Sequence, residues 1–126
     1  MRLRYLILPI FVLTPVVEIG LFFVVGKRIG IVPTLGLVIA TAVVGCWLVV
    51  RQGRETWLEL RIGMSNGRSP SVPLIHGALI LVAGAFLLTP GFLTDAVGFA
   101  LLVPPIREGL SDWFLSRLSS RWVVVR

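Results

Sequence analysis

The sequence predicts an all-α membrane protein: two transmembrane helices, then a helical hairpin broken at a Pro-Gly turn, then an amphipathic C-terminal helix at the membrane interface. Three observations carry that prediction. The 126 residues are 56% hydrophobic and 14% charged, with a mean hydropathy of +0.97, more apolar and less charged than soluble domains. Residues 29–50 hold no charged side chain, and a run of about 20 apolar residues suffices to cross a hydrocarbon core of roughly 30 Å. Residues 74–106 carry one formal charge, Asp95, but as an unbroken helix they would measure about 50 Å, too long for one simple span. The interruption at Thr89-Pro90-Gly91 divides that run into two arms that enter and leave on one side, either crossing fully or re-entrant.

The elements follow in order within a single polytopic domain, residues 1–126. Arg2 and Arg4 precede an apolar run over residues 5–26. It is longer than the core of a signal peptide and lacks a small-residue cleavage site, so it reads as a retained first span, bent at Pro9 and Pro15. Lys27 and Arg28 make a short connection, and residues 29–50 form the second span, opened by Pro33. In it Gly36 with Ala40, and Thr41 with Gly45, set small residues four apart, the spacing that lets helix backbones approach in lipid. Cys46 has no second cysteine to pair with and reads as a small hydrophobe. Residues 51–73 are the polar segment; Trp57, Leu60 and Met64 suggest a short helix there, continuing from the second span and lying along the interface, before a loop around Asn66-Gly67, Pro70 and Pro73. Residues 74–105 are the hairpin, where Gly77, Gly84 and Gly98 recur at multiples of seven and predict close packing of the two arms, Gly91 belonging to the turn. In the tail, residues 106–126, Ile106, Leu110, Trp113, Phe114 and Leu118 share one face, with Arg107, Ser111, Asp112 and Ser116 mostly on the other.

Charge placement predicts the topology. A net charge of +6 could suit nucleic acid, but the basic residues flank apolar runs and form no stripe on a polar helix, so no nucleic-acid partner is expected. With the hairpin returning to its own side, Arg2, Arg4, Arg51, Arg54, Arg61, Arg68, Arg107, Arg117, Arg121 and Arg126 share one face. Only Lys27 and Arg28 lie on the other. That asymmetry predicts a multi-pass protein with both termini cytoplasmic. An odd crossing would give six against six.

Arg51-Gln52-Gly53, Gly67, Pro70 and the run Gly84, Leu87-Leu88, Pro90-Gly91-Phe92, Thr94-Asp95, Gly98, Leu101-Leu102, Pro104-Pro105 and Arg107 resemble the FxsA family of bacterial cytoplasmic-membrane proteins over nearly the whole chain. The resemblance implies an inner-membrane location and an effect on the exclusion of a phage by the F plasmid, the trait from which the family is named. It implies no molecular activity.

The candidate functional or structural residues are Glu18, Arg51, Gly53, Pro90, Gly91, Thr94, Asp95 and Arg107. Glu18 lies near the middle of the first span, where a charged group costs about 2.5–3.5 kcal/mol on insertion scales. It is therefore either hydrogen-bonded to a neighbouring helix, with Thr41 or the hairpin turn as partner, or a proton or cation site. Asp95, with Thr94, is placed to cap the orphan N–H groups that open the last arm. Pro90 and Gly91 serve the turn. His76 reads as a surface or capping residue, since no second His and no nearby Cys completes a metal site.

Catalytic templates are missing: no phosphate-cradling loop, no nucleophile elbow, no constellation for a lipid-directed enzyme. No enzyme activity, cofactor or metal is expected. The family resemblance, with the small-residue faces and the two interfacial helices, implies a membrane interaction or modulatory protein affecting phage exclusion, partnered by the lipid bilayer and by another membrane protein or a second copy of itself. The alternative is a small oligomeric proton or cation transporter using Glu18 and Asp95, for which a broken helix is a known device.

Overall fold

The computed structural model describes residues 2–122, with side chains placed for 5–119. Arg126 lies outside the described residues, as do the side chains of Arg2, Arg4 and Arg121. Among the described residues the chain is five helices and no strand: α1 (Arg2–Ile29), α2 (Ile31–Ser65), α3 (Ser71–Leu88), α4 (Phe92–Leu102) and α5 (Pro104–Trp122). α1, α2 and α3 are each long and apolar enough to cross a membrane; α4 is apolar but shorter.

Where the chain turns, local chemistry accounts for it. Gly30 separates α1 from α2 at a φ of 95°, a backbone state that other residues rarely adopt. α2 then continues for 35 residues, so the polar segment 51–65 is helical and continues from the second span, as the sequence suggests. No proline interrupts it, and Arg51 pairs with Glu55 one turn on, at 3.2 Å. The break comes at Gly67, φ 71°, whose neighbour Arg68 donates its N–H to the Gly63 carbonyl. Within the polar segment 51–73 the loop is thus confined to 66–70. α3 stops before Pro90, and Pro104 sits at the first position of α5, where its missing N–H costs no helical bond.

α3 lies along α2 and α4 folds back along α3. Leu87 is the pivot: a Cβ built on Gly45 of α2 would lie 2.8 Å from its Cδ1, and one built on Gly98 of α4 2.8 Å from its Cγ and 3.1 Å from the Ala83 carbonyl oxygen. Ile80, Ala83, Leu87 and Leu102 form the buried core, with Leu48, Val49, Phe99 and Leu101 packed on it. Of the small-residue pairs in the second span, Gly45 makes a close packing contact, whereas a Cβ on Gly36 would meet open space.

One sequence expectation changes. Gly77 and Gly84 face Thr56 and Val49 of α2, so of the heptad glycines only Gly98 marks the packing of the hairpin arms. The reason is that α3 is shared: one face serves α4 and another serves α2. In α5 Arg107 and Ser111 turn toward the other helices, while Asp112 and Ser116 stay exposed. Ser111 is only 1% exposed, while Ile106, Leu110, Trp113, Phe114 and Leu118 all remain exposed, leaving the apolar face outward where lipid would meet it.

Candidate functional site

The break between α3 and α4 leaves the first N–H groups of α4 without helical partners. Gly91, at the N-cap, has no side chain to satisfy them, and Asp95 does not serve as the cap. Glu18 does so from another helix. Its Oε1 accepts the Thr94 N–H at 2.7 Å and its Oε2 the Leu93 N–H at 3.3 Å. Glu18 is buried, as is Thr94. The Thr94 hydroxyl donates across the turn to the Thr89 carbonyl at 3.3 Å, which ties the two ends of the break together.

This arrangement explains Gly91. Its φ of −178° is ordinary extended backbone, so conformational freedom is not what the position needs. Space is: a Cβ there would collide with the Glu18 carboxyl carbon and fall 2.6 Å from Oε1. Phe92, next in the chain, sets its ring 5.0 Å from that of Phe22 on α1, a tilted aromatic contact beside the carboxyl. Pro90 is exposed at the tip and ends α3 by the rule that disfavours helix before proline.

Asp95 is bound elsewhere. Its Oδ2 accepts the Thr41 hydroxyl of α2 at 2.8 Å. Thr41, which the sequence offered as a partner for Glu18, belongs to Asp95, because Asp95 reaches from the first turn of α4 to α2 while the Glu18 carboxyl comes to that same turn from α1. The hairpin tip is consequently fastened to α1 by Glu18 and to α2 by Asp95.

A second polar group lies where α2, α3 and α5 meet. Arg107 Nη1 donates to Gln52 Oε1, and Arg107 Nε is buried without a hydrogen-bond partner. Four residues along α5, the Ser111 hydroxyl donates to the Glu108 carbonyl at 2.9 Å and lies 3.1 Å from His76 Nε2. With that hydroxyl proton engaged, His76 is the donor in the His76–Ser111 bond. His76 is therefore an interhelical tie. The interhelical roles of Gln52 and Ser111 escaped the sequence reading because each is an ordinary polar residue whose partner is 55 or 35 positions away. The Gln52 side of this cluster follows Arg51, which is exposed, pairs with Glu55 and stacks on Trp47. Gly53 has open space where a Cβ would be, so packing does not demand glycine there.

The eight candidate residues therefore divide. Glu18, Pro90, Gly91, Thr94 and Asp95 come together at the hairpin tip; Arg107 joins the second cluster with Arg51 and Gly53 beside it on α2. Among the described residues no group of three His, Cys, Asp or Glu side chains could hold a metal ion.

A family model described as FxsA cytoplasmic membrane protein matches residues 9–117, a range that contains both polar clusters. The FxsA protein of Serratia marcescens is 34% identical over 117 residues, 93% of this chain and 84% of that protein. The YtzA protein of Bacillus subtilis is 35% identical over 128 residues, 98% of this chain and 100% of its own. The FxsA protein of Escherichia coli K12 is 38% identical over 95 residues, 75% of this chain and 60% of that protein. No solved structure matches. The same Pro-Gly turn and helical arms that carry the tip lie within a match covering most of the sequence, and the chain belongs to the FxsA family of cytoplasmic membrane proteins.

Proposed function

We propose that the protein is a non-enzymatic interaction protein of the cytoplasmic membrane, multi-pass with both termini cytoplasmic, that works by contact with another membrane protein or a second copy of itself and shares the family's effect on phage exclusion. The observation that supports this reading most is the engagement of both intramembrane carboxyl groups: Glu18 on the Leu93 and Thr94 N–H groups, Asp95 on the Thr41 hydroxyl. A buried acid usually signals function or a buried partner, and here each has a partner whose loss would leave polar groups unsatisfied. Such bonding suits a rigid brace. A proton or cation path would need these groups open to exchange.

The test is complementation of the phage-exclusion trait in an F-carrying host, with membrane abundance measured for each variant, alongside proton and cation flux in liposomes. Glu18→Gln and Asp95→Asn are expected to retain most of the trait, and the wild-type protein to give no flux. Complete loss of the trait in Glu18→Gln at normal abundance, with a wild-type flux that this substitution abolishes, would establish the transporter instead.

A further inference from the structure

We propose that the α3–α4 hairpin is re-entrant: its tip stops near the middle of the bilayer, and neither arm crosses. Depth can be read along α1 and α2, whose apolar lengths set where the hydrocarbon lies. α1 and α2 meet at Gly30, with Lys27 and Arg28 marking one membrane face. Glu18 lies eight residues before Gly26, the last apolar position ahead of that pair, and Thr41 ten residues beyond Ile31. At 1.5 Å per residue these positions are ~12 and ~15 Å from the Lys27–Arg28 face, close to half of a core of roughly 30 Å. Glu18 holds Leu93 and Thr94, and Thr41 holds Asp95, so the first turn of α4 sits at that depth.

Three further features agree. α4 has 11 residues, ~16 Å of helix, half of what a crossing needs. It ends at Leu102, just before Pro104 opens α5, so the chain regains the interface where the amphipathic helix begins. Leu87, one turn before the tip, packs on Gly45, fourteen residues along α2 from Ile31 at its far end. The Phe92 ring reaches on to Phe22 because helical side chains lean toward the N-terminus, which for α4 is the tip. The backbone itself goes no further.

The lateral profile is consequently uneven. α1 and α2 alone occupy the half of the membrane next to Lys27 and Arg28; all of α1 to α4 occupy the other half. The second leaflet is displaced by about twice as many helices as the first.

The experiment measures depth in liposomes with single spin labels in a Cys46→Ala background. Labels at Val32, Val43 and Leu88 use outward-facing positions, 79%, 63% and 80% exposed, so the core is undisturbed. The expected result is that the Leu88 label is accessible to oxygen and shielded from a water-soluble nickel complex, matching Val43, while Val32 is open to nickel. A cysteine at Leu88 should also resist a membrane-impermeant maleimide from both sides until detergent is added. A Leu88 label as nickel-accessible as Val32, or maleimide reaction in intact vesicles, would show a hairpin that crosses fully and overturn the proposal.

Discussion

Glu18 closes a gap that the local sequence of α4 leaves open. Replacing it with Gln keeps an acceptor for one of the two N–H groups, whereas Leu keeps none, and each buried donor left unsatisfied costs about 1–3 kcal/mol. Thermal unfolding in detergent should therefore rank wild type above Glu18→Gln and Glu18→Gln above Glu18→Leu; equal loss in both variants would mean the carboxylate charge, and not the acceptor, is what matters. Sequence reasoning reached part of this site. A carboxyl in mid-span needs a partner, and the hairpin turn was one of two on offer. That Glu18, and not Asp95, caps α4 was hidden, because a cap supplied from 75 residues away leaves no local pattern, while Asp95 has the residue type and position of a local one. Gly91 was legible as a turn residue but for the wrong physical reason, since only the fold shows the carboxyl lying where its Cβ would be.

The spans and the break at Pro90-Gly91 followed from hydropathy and proline chemistry because both are local. Which faces meet is a relation between helices, and there the period of the glycines misled: spacing identifies a face but does not name its neighbour. Two glycines now separate by prediction. Gly98→Ala must displace Leu87 or press on the Ala83 carbonyl and should destabilise by about 1–3 kcal/mol, whereas Gly53→Ala meets open space and should be neutral or stabilising by up to about 1 kcal/mol. Unfolding midpoints in detergent compare them, and a Gly98→Ala protein as stable as wild type would contradict the packing. On α5, Trp113→Ser with Phe114→Ser should free the helix from the bilayer without expelling the protein, since the spans bury their apolar surface independently. Spin labels at the two ends of that helix would report equal water exposure after the change; an unaltered lipid signal would show that protein contacts alone hold it.

At the scale of the whole molecule, the charge asymmetry of ten basic residues against two is a statement about topology that no contact inside the protein supplies. It predicts that a fluorescent reporter fused after Arg126 is bright and a phosphatase fused there inactive; the reverse would place the tail outside. The hairpin tip docks against α1 beside Glu18. That joint can be measured in native membranes with cysteines at Phe22 and Phe92 in the Cys46→Ala background, whose parent rings lie 5.0 Å apart. A short thiol cross-linker should join the pair in high yield, while pairing Phe92 with Ile29, at the end of α1, should give little product. Failure of the Phe22 pair, or preference for Ile29, would contradict the docking of the tip at the level of Glu18.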